Sequence, residues 1–179
     1  RPITGQLGFG RHGLKKGQWA NNTASTLALL DSLLFRRTFD VIDFIERLVD
    51  WQEEGAYSCT GSSTGIDQLT LDAIANYRST HDPFAGSDHA DSNGAGSLVR
   101  LAPVVIAYRH DKKAMRILAR EQSCVTHASH LAVAASEEFA MVLADAIEGK
   151  KREDIMRPRV LKEHAVLQCL SRPTWRTKS

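Results

Sequence analysis

The segment whose residue types most suggest chemistry is the turn Asn93-Gly94-Ala95-Gly96-Ser97. It comes directly before a predicted helix, so its backbone N–H groups and the positive end of that helix could hold a phosphate group. Glycine at positions 94 and 96 would let an anion approach the backbone closely. A turn that needs glycine only for positive φ angles has the same pattern, and the turn alone leaves both interpretations open.

A second candidate is His127, which follows Thr126 just before the longest predicted helix. Its imidazole could donate a hydrogen bond to an anion, or it could simply cap the helix. Asp88, His89 and Asp91 form a further cluster of potential metal ligands on a predicted loop. Such spacing is unspecific, and solvent exposure explains these polar residues more simply.

The elements that must position these residues are predicted to be helices. Apolar residues recur at helical spacing in the segments 23–35, 41–54, 66–77, 97–109, 112–122, 130–148 and 160–170. No segment shows the alternation typical of a strand, and the apolar run Val104-Val105-Ile106 lies inside a helical pattern. We therefore predict an all-α, compact multi-helix fold.

Several helix ends and faces are also predicted. Asn22, Asp40 and Asp111 have side chains suited to N-caps, and Gly149 is suited to end the long helix. Two helices have apolar residues that are expected to face a core: Leu27, Leu30 and Leu34 in the first, and Leu131, Ala135, Phe139, Val142, Leu143 and Ala146 in the long one. Residues 78–96 between helices form an unusually long predicted loop, of the kind that binds a ligand or covers a site.

Composition places the chain among ordinary folded proteins. Its 179 residues are 42% hydrophobic and 25% charged, enough for one domain with its own core. No apolar run is long enough to span a bilayer, and the three widely spaced cysteines favour a reducing compartment, so we expect a cytoplasmic location without membrane contact. Residues 157–179 hold six basic residues and one acid; we treat them as a basic C-terminal segment of the domain 1–156, and nucleic acid is not the expected partner.

The order of the segments resembles the ADP-ribosylglycohydrolase family, in particular proteins like dinitrogenase reductase-activating glycohydrolase. The run from Gly13 to Thr23, Gly-Leu-Lys-Lys-Gly-Gln-Trp-Ala-Asn-Asn-Thr, is similar to the family's Gly-Leu-Lys-Pro-Gly-Glu-Trp-Thr-Asp-Asp-Thr. The run from Asn93 to Val104 is similar to Asn-Gly-Asn-Gly-Ser-Leu-Met-Arg-Ile-Ala-Pro-Val, and Thr126-His127 matches a Thr-His before a long helix. The ordered similarity spans roughly residues 8–149, which is far more specific than any one motif.

The resemblance implies an all-α fold with a cleft for ADP-ribose, whose diphosphate lies on the glycine-rich turn. In the family, two Mg²⁺ ions held by carboxylates help water to cleave a glycosidic bond. Carried over residue by residue, the substrate-binding positions are Asn93, Gly94, Gly96, Ser97, Arg100 and His127.

The metal positions depart from the family. Where the family has Thr-Asp-Asp, this chain has Ala20, Asn21 and Asn22, which replace two carboxylates by neutral amides. Mg²⁺ needs anionic oxygens to offset its dehydration, so these degenerate positions imply little metal affinity. A third carboxylate is displaced, with Asp67 as its possible substitute, and the family's opening Gly-Asp and closing Gly-Gly-Asp-Thr-Asp-Thr motifs are not found.

We therefore expect a catalytically impaired homologue, truncated relative to the family, without catalytic residues or a cofactor, that binds ADP-ribose or an ADP-ribosylated protein. One alternative is an active metal-dependent hydrolase with a site rebuilt from Asp67, Asp88 or Asp91. Another is a non-catalytic interaction protein that associates with itself through uncovered apolar faces around Leu27, Leu30 and Leu34.

Overall fold

The fold is a bundle of α-helices, seen in a computed structural model that describes Gly8 and residues 12–155. Its helices are α1 (Asn21–Arg36), α2 (Val41–Glu54), α3 (Gln68–Thr80), α4 (Gly96–Val99), α5 (Ala102–Tyr108), α6 (Lys112–Cys124), α7 (His130–Ile147) and α8 (Arg152–Ile155). The described residues contain no strand, and the all-α prediction is confirmed. The predicted helix 160–170 and the basic segment 157–179 lie outside the described residues.

Polar side chains cap the N-terminal ends of three helices. Asp40 accepts hydrogen bonds from the backbone N–H groups of Ile42 and Asp43, and Asp111 caps α6 in the same way, as predicted. Asp67, predicted as an internal residue, is the N-cap of α3 and accepts from the Thr70 N–H. The helix predicted from residue 66 therefore begins at residue 68.

The first helix begins earlier than predicted. Ala20 is the N-cap and makes no side-chain cap bond, so Asn22 is a helical residue and its prediction as the cap was wrong. The Asn22 carbonyl instead accepts from the hydroxyl groups of Ser25 and Thr26.

The predicted helix 97–109 is divided into α4 and α5. Pro103 has no N–H to donate to the carbonyl of Val99, four residues earlier, so one helical hydrogen bond is missing at this point. The Thr26 hydroxyl of α1 lies 3.4 Å from the Val99 oxygen and donates to it instead. Arg100 and Leu101 lie between the two helices, and this break turns the Arg100 side chain into the interior.

The core has two parts. The larger packs α1, α2 and α3 around Phe44, Leu48, Trp51 and Ile74, with Val104 from α5. The smaller packs α5, α6 and α7 around Leu101, Met115 and Ala140. The two parts meet where the segment before α7 passes beneath the turn before α4, and the candidate site lies at this junction.

The buried faces of α1 and α7 are not those predicted. In α1 the buried face combines Leu29 and Leu33 with the small residues Ala24, Ser25, Ala28 and Ser32, whereas Leu30 and Leu34 are 38% and 61% exposed. In α7 the buried positions are again mostly small, whereas Phe139 is exposed. Small side chains let helices approach closely, so close packing rather than the largest side chains decides which face is buried. None of the described helices is both long and apolar enough to cross a bilayer.

Candidate functional site

His127 lies at the centre of the candidate site and is fully buried. Its Nδ1 is 2.7 Å from the Thr126 hydroxyl oxygen. Its Nε2 has no hydrogen-bond partner among the described residues, although Asp67 Oδ1 lies 3.5 Å away. A buried polar nitrogen without a partner is uncommon and costs free energy, so it marks a position where a ligand would be favourable.

The glycine-rich turn lies directly against the His127 ring. A β-carbon on Gly94 would be 2.9 Å from Nε2, and one on Gly96 would be 2.7 Å from Cε1. Neither glycine has a positive φ, so the explanation by φ alone was wrong for this turn. Glycine is required at both positions because the backbone and the imidazole approach so closely.

Asp67 places its carboxylate next to Nε2 of His127. It caps α3, where Oδ1 accepts from the Thr70 N–H at 3.1 Å and Oδ2 accepts from the Thr70 hydroxyl at 2.9 Å. Burial alone would raise the pKa of this carboxyl, but the nearby His127 imidazole and the Thr70 donors outweigh it and hold the pKa well below its usual range. The Asp67 side chain is 39% exposed whereas the His127 side chain is fully buried, so an ionised carboxylate at the surface faces a buried imidazole.

A backbone contact holds the preceding loop against His127. The Gly86 N–H donates to the Cys124 carbonyl at 3.1 Å, and the Ala128 N–H donates to Ser87 at 3.1 Å. A β-carbon on Gly86 would be 2.6 Å from the backbone nitrogen of His127. The loop predicted at 78–96 is present between α3 and α4, and it packs onto the site at this point.

Arg100 is buried and binds Gln122 and Thr126, next to His127. Only 1% exposed, it donates from Nε to Gln122 Oε1 at 2.9 Å, and from Nη2 to the Gln122 carbonyl at 2.7 Å and to the Thr126 hydroxyl at 2.8 Å. The guanidinium also lies over the Phe44 ring. Burial lowers the pKa of Arg100 to about 10, and the Asp67 carboxylate opposes this shift.

Some of the predicted substrate-binding residues lie around His127, and the others direct their side chains into the protein interior. Gly94, Gly96 and His127 lie together, and Asn93 joins the turn to the start of α7 by accepting from the Ser129 hydroxyl at 2.9 Å. The Ser97 hydroxyl is buried between those of Ser123 and Ser136. Ser97 and Arg100 both direct their side chains into the interior, so substrate contact by these two side chains stays a prediction.

The predicted metal positions provide few anionic donors. Asn21 lies near Gly65 at the start of α1, and Asn22 is exposed. Asp88 and Asp91 are exposed on the loop, with His89 Nδ1 3.8 Å from Asp91 Oδ2. Within Gly8 and residues 12–155, no group of three His, Cys, Asp or Glu side chains is arranged to hold a metal ion.

Among the described residues, the positions that the resemblance implies for Mg²⁺ hold few free anionic oxygens. Both oxygens of Asp67 already accept hydrogen bonds from Thr70, and the neighbouring degenerate positions 21 and 22 offer only neutral amides. His127 can act in this site as a hydrogen-bond donor or acceptor, and Asp67 as an acceptor.

Sequence reasoning missed Thr70, Gln122 and Ser129 as residues that hold the site. The spacing of Asp67 and Thr70 is that of an N-cap and its third helical residue, so a search for capping patterns would have found this pair. Gln122 has no comparable signal, because its contacts with Arg100 and with the Ser97 carbonyl join residues far apart in the sequence.

The chain combines an all-α fold with a glycine-rich turn packed over a buried histidine. The family model for ADP-ribosylglycohydrolases matches residues 1–176, so the chain belongs to the ADP-ribosylglycohydrolase family. This match extends beyond residues 8–149 on both sides, into the segment from residue 157 onward.

Individual relatives agree with this assignment. The chain is 29% identical over 158 residues to the ADP-ribosylarginine hydrolase Tri1 of Pseudomonas putida (strain GB-1), and 26% identical over 159 residues to the protein of the same name from Serratia proteamaculans (strain 568). These matches cover 88% and 89% of this chain but 43% of each relative. The chain thus spans less than half the length of these relatives.

A solved structure supports the fold. The chain superposes with a TM-score of 0.80 and 31% identity on a structure described as an ADP-ribosylglycohydrolase-related protein complex. The superposition covers 94% of this chain and 55% of that one.

Proposed function

We propose that this member of the family binds ADP-ribose, free or attached to a protein, and that it hydrolyses the glycosidic bond poorly. The observation that supports binding is the unpartnered Nε2 of His127 against Gly94 and Gly96. A ligand oxygen at that point would supply the missing hydrogen bond, and the glycines would let it lie close to the backbone.

Asp67 and His127 suit a sugar phosphate better than a simple anion. The carboxylate can accept from a ribose hydroxyl, while the imidazole can donate to a hydroxyl or phosphate oxygen. A bare anion would gain from His127 but would be repelled by Asp67, because the two side chains are only 3.5 Å apart.

Weak hydrolysis is proposed because of the residues at the metal positions. Water activation in the family, as the resemblance implies, depends on Mg²⁺ held by carboxylates, and Asn21 and Asn22 cannot supply that charge. We therefore propose no metal cofactor and no catalytic residue in this chain. The cytoplasmic location likewise stays a proposal.

Two relatives are named ADP-ribosylarginine hydrolases, so an arginine-ADP-ribosylated protein is the partner to test first. Isothermal titration with ADP-ribose tests the binding half of the proposal. We expect binding that is unchanged by Mg²⁺ or a chelator, and that weakens about tenfold or more in Gly96→Ala. Ala95→Ser, on an exposed residue of the same turn, is the matched control and should bind as the wild type does.

The hydrolysis half is tested with an arginine-ADP-ribosylated protein as substrate. We expect little release of ADP-ribose with or without Mg²⁺. Robust Mg²⁺-dependent release would contradict the proposal and favour an active hydrolase with a rearranged site. In that case Asp67→Asn should abolish release, whereas Asp91→Asn, on a residue whose side chain is 94% exposed, tests the loop carboxylates.

A non-catalytic interaction protein is the second candidate function. The observation that favours it is the exposure of Leu34 and Phe35, at 61% and 67%, beside each other at the end of α1. Neighbouring exposed apolar side chains of this size favour association with another surface. We propose self-association through this face of α1 as the form to test.

A further inference from the structure

We propose that Arg100 and Thr126 hold His127 in the tautomer that carries its proton on Nε2, and that they thereby keep a hydrogen-bond donor directed at the glycine-rich turn. Arg100 and Thr126 are positioning residues in this proposal. The use of that donor by a ligand rests on the proposed function, whereas the tautomer itself does not.

The first step concerns the Thr126 hydroxyl, which is fully buried. Its oxygen accepts from Arg100 Nη2 at 2.8 Å, and a guanidinium can only donate. The hydroxyl hydrogen must therefore point elsewhere. His127 Nδ1, at 2.7 Å, is the acceptor that the described contacts offer to it.

The second step follows from the imidazole. A neutral imidazole has one protonated and one bare nitrogen, so an Nδ1 that accepts from Thr126 leaves the proton on Nε2. In the opposite tautomer Nδ1–H would donate to the Thr126 oxygen. The hydroxyl hydrogen would then have no acceptor among the described contacts, inside a buried region where this is costly.

The third step comes from the other side of the ring. Nε2 lies 3.5 Å from Asp67 Oδ1, so a bare Nε2 lone pair would face a carboxylate oxygen. A proton on Nε2 replaces this repulsion by attraction.

The groups around the His127 ring therefore all favour a proton on Nε2. Thr126 lies on the Nδ1 side with Arg100 behind it, Asp67 of α3 lies on the Nε2 side, and Gly94 and Gly96 of the turn before α4 lie against the ring. The consequence is that the unpartnered nitrogen is a donor before any ligand arrives, so binding needs no change of tautomer.

The test is nuclear magnetic resonance of the full chain with ¹⁵N-labelled histidine at neutral pH and without ligand. The nitrogen that carries hydrogen is identified by its chemical shift and its ring couplings. The spectrum of His127→Gln assigns the signal among the seven histidines. We expect Nε2–H alone in the wild type and in Thr126→Ser, which keeps the hydroxyl.

Thr126→Val keeps the shape of the side chain and removes the hydroxyl. Asp67 also favours a proton on Nε2, so this change is combined with Asp67→Asn, and we expect the double variant to show a mixture of both tautomers, whereas Asp67→Asn alone keeps Nε2–H. Where the double variant does not fold, Thr126→Ala with Asp67→Asn tests the same contacts with the same expected mixture. A wild-type Nδ1–H or doubly protonated ring would overturn the proposal, as would a double variant that keeps pure Nε2–H.

Titration with ADP-ribose separates this proposal from the proposed function. If Nε2–H is found and the wild type binds ADP-ribose, both the tautomer and the proposed function are supported. If Nε2–H is found but the wild type does not bind ADP-ribose, the tautomer stands and the proposed function fails.

Discussion

Gly96 and His127 are packed so closely that a β-carbon on Gly96 would lie 2.7 Å from the imidazole Cε1. The turn before α4 and the segment before α7 therefore form one unit, although 30 residues separate them in the sequence. Because the ring is fully buried, a change on either side of this contact must be accommodated by the other. The predictions below concern this unit and the surfaces around it.

Gly86→Ala should destabilise the fold more than Gly96→Ala. The new β-carbon of Gly86→Ala would meet backbone atoms of Thr126 and His127 at 2.6 Å, whereas that of Gly96→Ala meets the side chain of His127. Backbone atoms can move aside less easily than the side-chain ring of His127. We therefore expect a loss of about 2–3 kcal/mol in the free energy of unfolding for Gly86→Ala and about 1 kcal/mol for Gly96→Ala. Urea unfolding measures both, and a reversed order would contradict the packing described.

Arg100→Met should be strongly destabilising. It leaves the Gln122 carbonyl, Gln122 Oε1 and the Thr126 hydroxyl without their buried donor, for a loss of about 2–4 kcal/mol. Arg109→Met is the control, because Arg109 is only partly buried and donates to the Ile106 carbonyl near the surface; it should change stability by less than about 0.5 kcal/mol. Equal effects in a denaturant titration would argue against a structural role for Arg100.

Asp67 should make the protein sensitive to acid. Its folded-state pKa is depressed below the ordinary value of 3.8, so its contribution to stability is complete above that value and is lost as the pH falls through the folded-state pKa. Asp67→Asn should therefore flatten the decline in unfolding free energy below about pH 4. Asp72→Asn, on an exposed residue of the same helix, is the comparison, and parallel curves for Asp67→Asn and the wild type would refute the prediction.

Leu34→Lys should reduce self-association. Leu34 is 61% exposed at the end of α1, so a charge there should disrupt an apolar contact between copies without disturbing the core. Ala75→Lys adds the same charge to an exposed position of α3 and should leave the mass unchanged. Light scattering over a range of concentrations measures the effect, and a wild type that is monomeric throughout would remove the basis for this second candidate function.

Much of the fold could be predicted from the sequence because helix signals are local. The caps at Asp40 and Asp111 and the end of α7 near Gly149 depend on residues only a few positions apart. The buried faces of α1 and α7 could not be read in the same way. Periodicity locates the large apolar residues, but the choice of buried face depends on how closely neighbouring helices approach, which is a tertiary property.

The residues of the candidate site could likewise be predicted only in part. Gly94, Gly96 and His127 could be named from their types and order, and the structure brings them into contact. The roles of Gln122 and Thr126 could not, because they arise from contacts with Arg100 across 22 and 26 residues. The sequence could not show why glycine occurs at positions 94 and 96, because a close approach to another group and a positive φ both require glycine.

The loop between α3 and α4 is attached to the rest of the protein on both sides of its tip. Gly86 and Ser87 bond to residues 124–128, and Asn93 bonds to Ser129, which leaves Asp88 to Asp91 exposed between the two attachments. Extra residues inserted between Asp88 and His89 would add the slowly growing entropy of a longer closed loop and would break one exposed hydrogen bond, from the His89 N–H to Ser87 Oγ. A fluorophore or an affinity tag placed there would report on the protein without reaching the imidazole.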